Sequence, residues 1–416
     1  MSPRISRSAF LRLSLTAAPA LLWSRGLAAQ APVDPEQRER VADVYRMFHL
    51  LGSHRTATDP DHDTAEWLAD ECTKRGAEVS PRTFTLQRVD LKASYIEAGG
   101  SRREGVPFFD GGFTTADGLS GRLGRPGSGS PIVLVTLDAT AIGTEGATLG
   151  ALRRDAAVRA IVAITDGGEP GLCPSNALAF TAPYGVPVLQ VSSSTREWLE
   201  GLAQAGADVR LVAHAERTAT TAENTLAIVR GRQPQLPPVV VMTPRSGWWQ
   251  CVSERGGGLA CWLEIMRTVA LVRPARTVRF LASSGHELGH LGLDAFLREE
   301  PALIKSAAAW LHLGANIGAV GSLMRLQSAS DEIEAIAEAA AQTAGASVDR
   351  KVPRGTVPAG EARNIHVGGA RYVSFVGANA SYFHNPMDLW PTSVNLDAAV
   401  RYAAATTSLT LALAKA

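Results

Sequence analysis

The sequence predicts an α/β chain built on a mostly parallel sheet covered on both faces, with a smaller β-rich module set into it. Three observations carry this. Near-continuous apolar strands, "VVVM", "TVRFLAS", "AAWLHLGA" and "RYVSFV", alternate with helical stretches such as "GGLACWLEIMRTVALV" and "SDEIEAIAEAAAQTAG". Strands without polar alternation are what a doubly covered sheet requires. Residues from about 95 to 215 differ, with Gly- and Ser-rich turns between shorter strands. The composition is that of a globular protein: 416 residues, 45% hydrophobic and 19% charged, enough for one large or two medium domains.

The elements follow in order. Arg4, Arg7 and Arg12 precede an apolar run, Leu13 to Trp23, and then the small residues of "SRGLAAQAP". This order predicts a secretory signal over residues 1–31, cut near Ala29 or Ala31, and hence an exported, periplasmic or extracellular protein. Sec export and a Tat-like signal lacking one arginine both stay open, and a buried N-terminal helix is the alternative. "EQRERVADVYRMFHLLG" and "DHDTAEWLADECTKRG" read as helices, the second opening on Asp-rich caps, and "EVSPRTFTLQRV" as a strand. In the module, strands "PIVLVTL", "AIVAIT" and "GVPVLQVS" alternate with helices "LGALRRDAAV" and "STREWLEGLAQAG". From "ENTLAIVRG" onward the parallel-sheet pattern takes over.

The net charge of +1 gives no reason to expect a nucleic-acid partner. Beyond the N-terminus no apolar segment is long enough to span a bilayer. Four cysteines, Cys72, Cys173, Cys251 and Cys261, allow three pairings that sequence alone cannot choose between.

Ligands of such sheets collect at the carboxyl ends of strands, where the chemically informative residues fall. "SGHELGHLG" follows "TVRFLAS", "TPRSGWWQ" follows "VVVM", and "SYFHNPMD" closes the loop after "RYVSFV". His286-Glu287-Leu288-Gly289-His290 spells H-E-x-x-H, the zincin pattern in which two histidines on one helix face hold zinc. Against it, Gly285 and a strand end come immediately before His286, whereas zincins carry the motif well inside a helix.

Beyond single motifs, the chain resembles metallopeptidase family 28, the zinc exopeptidases that include aminopeptidase Y and bacterial leucyl aminopeptidases. "GSHRTATDPDHDTAEWLADECTKRGAEV", "ENTLAIVRG", "SGHELGHLGLDAF" and "FHNPMDLWPTSVNLDAAVRYAAATTSLTLALA" carry the likeness. It implies a three-layer zinc-exopeptidase domain from residues 32–94 and 216–416, with residues 95–215 as a protease-associated insert. It also places His286 where the family has its catalytic-base glutamate, Glu287 on a metal-binding glutamate, Glu254 on the metal-bridging aspartate and His384 on the final histidine ligand. His290 falls on a leucine, so the zincin spelling is accidental in this frame.

The departures are large. Thr243-Pro244-Arg245 replaces the family's His-x-Asp ligand motif, and near "LHLGANIG" an expected aspartate has no carboxylate, His312 and Asn316 being nearest. The surviving donors, Glu254, Glu287 and His384 with His312 or His290 as recruits, suffice for one zinc at most. His286 is a workable general base. Arg245 either polarises a substrate carbonyl or pairs with Glu254 in a vacated cavity. Trp248 and Trp249 line a substrate pocket or simply pack. Glu361 stands where the family often has an aspartate before a recognition loop, which implies a substrate-pocket residue, and Tyr382 is expected to donate to an oxyanion. The reading is therefore an exported aminopeptidase-like hydrolase acting on peptides with one zinc. The alternative is an inactive relative, with no metal, that binds a peptide or protein.

Overall fold

The structure, a computed structural model, describes residues 33–139 and 145–416, so the expected signal segment lies outside it. Helices α1 (Pro35–Leu50) and α2 (Asp59–Lys74) come first, followed by β1 (Glu78–Val79), β2 (Arg82–Ala98) and β3 (Ser101–Pro107). Next come β4 (Leu119–Gly124), β5 (Ile132–Asp138), α3 (Glu145–Leu152), β6 (Ala160–Asp166), β7 (Val188–Ser192), α4 (Arg196–Ala205) and the long return strand β8 (Asp208–Val229). The remainder is β9 (Val239–Pro244), α5 (Val252–Val272), β10 (Val278–Ser283), α6 (Leu291–Glu299), α7 (Leu303–Ser306), β11 (Ala309–Leu313) and β12 (Leu323–Ser328). The chain ends with α8 (Asp331–Ala344), β13 (Arg350–Lys351), α9 (Ala362–Val367), β14 (Tyr372–Ala378) and α10 (Leu396–Leu413).

The main sheet runs β13-β12-β14-β11-β9-β10-β8. Its centre, β10-β9-β11-β14, is parallel, while β8 and β12 pair antiparallel with β10 and β14. β9 is buried along its whole length, which its unbroken apolar spelling foretells. On one face Trp262, Phe280, Tyr45 and Leu409 share a core with α1, α5, α8 and α10. On the other, Trp310, Phe296 and Tyr372 pack with α6 and α9.

β2 and β8 form a ribbon paired from Arg82↔Asn224 to Glu97↔Arg210, with one irregularity between Leu91 and Ala93. This ribbon leads into a second sheet, β3-β7-β6-β5-β4. The boundaries expected at 95 and 215 thus fall inside two continuous strands. Phe84, Phe109, Val135 and Phe180 from this region pack on Trp248 and Leu288 of the main domain.

Three local departures from the sequence expectations bear on the site. At the Asp-rich start of α2, Thr58 precedes the helix without a side-chain cap bond of its own, while Asp61 accepts from Ala57 N at 2.8 Å and is fully buried against a cation described below. The H-E-x-x-H segment is not one helix. His286–Leu288 is a single 3-10 turn, and His290, at φ 70°, precedes α6, so the i, i+4 geometry of a zincin is missing. α5 begins at Val252, ahead of the apolar run, and carries Glu254 and Arg255 in its first turn. Finally, all four cysteines are unpaired and buried.

Candidate functional site

The strand ends meet over the first turn of α5. That turn sits unusually close to its neighbours because Gly256, Gly257 and Gly258 succeed one another. A Cβ on Gly257 would overlap the carbonyl oxygen of Ile317, and one on Gly258 the hydroxyl of Thr243. Each glycine in a helix costs about 1 kcal/mol relative to alanine, so close approach is the gain that offsets it. The amides of Ser253 and Glu254 donate to the carboxylate of Asp388 at 2.8 and 3.0 Å, which caps the helix from across the chain.

Glu254 and Arg255 are thereby held in the interior, both essentially without solvent contact. Arg255 Nη2 lies 2.7 Å from Glu254 Oε1 and 2.6 Å from Glu287 Oε1, and Arg255 Nε donates to Ser246 O at 2.7 Å. Glu287 Oε2 accepts from Ser246 Oγ at 2.8 Å, and that hydroxyl also accepts from the amides of Gly285 and His286. Burial alone would raise the Glu254 carboxyl; Arg255 and then His384 overcome it and bring it down to about 2. Burial works against the Arg255 charge too, but Glu254 and Glu287 hold the proton on more firmly than usual.

His384 Nδ1 donates to Pro174 O at 2.7 Å, and its Nε2 faces Glu254 Oε1 at 3.4 Å. His286 stacks on His290 with ring centroids 4.8 Å apart, and its Nδ1 is 3.4 Å from Glu361 Oε1. Burial first, then the charge of Arg255, keep His286 neutral well below its ordinary value. Glu361 is raised by burial while accepting from Ser283 Oγ at 2.7 Å. His312, on β11, is pushed down to about 3 by burial. Cys251, His290, Asn316 and His384 all have positive φ, strained backbone of the kind that clusters where a site is held in shape.

A strap from the second sheet, residues 168–180, closes over this cluster. Trp249 Nε1 donates to Leu172 O and His384 O at 3.3 and 3.0 Å, and Trp248 Nε1 to Asn176 Oδ1 at 3.2 Å. Ala177 N donates to Glu287 O at 2.7 Å. The two tryptophans therefore pin the strap.

Of the residues singled out from sequence, the fold brings Glu254, Glu287 and His384 into one cluster, and His286, His290 and Glu361 into an adjoining one. Arg245 belongs to neither and does not pair with Glu254. It is fully buried, with Nη1 2.6 Å from Asp61 Oδ1 and Nη2 donating to Glu223 O. Tyr382 is half-buried, and among the described residues no hydrogen bond ties its hydroxyl to either cluster. Two partners escaped the sequence reading. Arg255 was visible as a charge next to Glu254 and ahead of three glycines; Asp61 was hidden among four nearby acids and a proline.

The donor set does not fit a metal ion. Glu254 and Glu287 are shared by a guanidinium that cannot give up its proton. Among the described residues no three His, Cys, Asp or Glu side chains converge as a metal needs.

Neither the family models nor the characterised proteins compared by sequence match the chain. Its fold, however, has clear parallels. A peptidase M28 precursor from Shewanella amazonensis superposes with a TM-score of 0.73 at 16% identity, over 92% of this chain and 96% of its own. A zinc aminopeptidase from Bacillus subtilis gives 0.72, also at 16% identity and with the same coverage of both chains. An aminopeptidase from Aneurinibacillus sp. strain AM-1 gives 0.67 at 14% identity, over 91% of this chain and 94% of its own. In its fold, this chain is built like the M28 zinc aminopeptidases.

Proposed function

We propose that this chain is a metal-free relative of the M28 aminopeptidases that binds peptides without hydrolysing them. The observation that supports this reading above the one-zinc hydrolase is Arg255. Its guanidinium lies within 2.7 Å of both carboxylates that would serve a metal, and it supplies a permanent positive charge where an ion would have to enter. A second cation, Arg245, is paired with Asp61 at the strand end where the resemblance expects a histidine ligand. The scaffold keeps a cavity beside the cluster and a strap over it, as a binding site needs. We read residues 95–215 as the protease-associated insert that supplies the strap. We read the N-terminal segment as an export signal, so the peptide is met outside the cytoplasm.

The test is elemental analysis of chain purified without chelators and then offered zinc, run beside a hydrolysis screen of aminoacyl amides and peptide-binding calorimetry. The expected result is no stoichiometric metal, no turnover and saturable peptide binding. About one zinc per chain, accompanied by hydrolysis, would overturn the proposal and restore the one-zinc aminopeptidase. Failure to bind any peptide would overturn it as well.

A further inference from the structure

Among the described residues Arg325 pairs with no anion, and neither does Arg55, which lies instead over the Phe109 ring. Arg245 and Arg255 are both ion-paired with buried carboxylates. Arg325 is not: it is half-buried on β12, and among the described residues no carboxylate, carbonyl or hydroxyl accepts from it. Strand alternation explains where it points. Met324 and Leu326 enter the main core, which turns Arg325 and Gln327 to the opposite face. Its cross-strand neighbours there are Val376 of β14 and Arg350 of β13, and the Arg350 charge repels it. Burial first, and Arg350 second, lower its proton affinity, yet a guanidinium stays charged. A half-buried cation with no counter-charge, its nitrogens still in contact with solvent, is placed to take an anion that enters beside it.

The face it occupies opens into a cavity of about 120 Å³, lined also by His286, His312, Asn316, Val376 and Phe383. Two further polar atoms there lack partners, His312 Nε2 and Asn316 Oδ1. His312 Nδ1 is 2.8 Å from Ser374 Oγ and Asn316 Nδ2 donates to Gly377 O at 3.1 Å, so each side chain is fixed with its free atom left over. Both residues are buried. Gly360 closes the wall: a Cβ there would lie 3.5 Å from His312 Cε1 and 3.6 Å from His286 Cε1.

We propose that this cavity is a carboxylate subsite, built by Arg325, His312 and Asn316 to take a short acidic residue of the amino-acid class. With Ser374 donating to Nδ1, His312 carries its proton on Nε2 and joins Arg325 in donating to the carboxylate. Asn316 Oδ1 accepts an N–H from the same residue, and Val376 and Phe383 cover its methylenes. The volume suits one aspartyl or glutamyl side chain, not a bulky aromatic one. The chemistry is shared by free glutamate and by an acidic residue in a peptide. The subsite deepens the peptide-binding reading and rests on it only for the second of these sources.

Titration calorimetry with four probes separates them: L-glutamate, L-glutamine, and the tripeptides Glu-Ala-Ala and Gln-Ala-Ala. We expect Glu-Ala-Ala to bind roughly ten- to a hundredfold more tightly than Gln-Ala-Ala, the usual range for a hydrogen-bonded charge pair. Arg325→Gln removes that preference with its melting temperature held, and Arg325→Lys keeps part of it. Equal affinity for the two tripeptides overturns the subsite and leaves the peptide-binding function standing. Binding of L-glutamate over L-glutamine without either tripeptide upholds the subsite and overturns the peptide reading. Preference that survives Arg325→Gln overturns the assignment of Arg325.

Discussion

Arg255 is the residue on which the interior charge balance turns. Two carboxylates depend on one guanidinium, and its removal leaves both buried without a counter-ion. Breaking one side of a buried pair costs about 3–5 kcal/mol, so Arg255→Ala should lose that much in a urea melt. Arg255→Met combined with Glu254→Gln and Glu287→Gln removes all the charges together and should recover most of the loss, since buried ion pairs exchange for neutral packing at little net cost. A single variant as stable as the native chain would show that these ion pairs do not set its stability. The pairing itself was not legible in the sequence. Glu254 and Glu287 could be located by resemblance, but 33 positions of chain separate them, and only the packing of α5 decides which cation reaches both.

At the scale of the element, α5 and its glycines position everything else. Gly257→Ala forces the helix away from Ile317 O and from Tyr45, whose hydroxyl donates to that same carbonyl at 3.0 Å. Overpacking of this kind costs about 1–3 kcal/mol. We expect a matching drop in melting temperature and, because Glu254 and Arg255 ride on the same turn, weaker peptide binding than the stability loss alone explains. Full binding in a destabilised Gly257→Ala would detach the helix from the site. The strands of the main sheet were readable because double burial removes polar alternation, as in "VVVM" and "AAWLHLGA". β12 was missed for the converse reason: "LMRLQS" places Arg325 and Gln327 on one face, and two polar residues in six read as loop. The full length of β2 and β8 was missed as well, because their outer portions carry exposed polar residues and no turn signal marks where the main sheet ends.

For the whole molecule, stability depends on pH through groups buried in their neutral form. Burial brings His54 and His312 down to about 3, against an unfolded value near 6.5. Between those values each of these two imidazoles binds a proton in the unfolded chain and refuses it in the folded one, so their stabilisation is complete above pH 6.5 and is lost as the pH falls toward 3. Asp388 works in the opposite sense. Burial raises it to about 6, so its contribution is complete below the unfolded value and fades as the pH rises through 6. His286 and His290 are held down by burial as well and Glu361 is raised by it, so the imidazoles outnumber the carboxyls and the urea midpoint should fall steadily from pH 6.5 to 4. A midpoint that is flat or rising toward acid would mean that these imidazoles are protonated in the folded protein. How the strap is fastened has a further consequence for traffic into the site. Its anchors are the backbone oxygens of Leu172 and Pro174, together with Ala177 N and Asn176 Oδ1, and the ribbon behind it is a long antiparallel ladder interrupted only at Leu91–Ala93. A ligand that passed beneath the strap to Arg255 would have to wait for those bonds to part and wait again to leave. Arrival and departure by that route would both be slow whatever the affinity, and the dwell time there would be set by the strap.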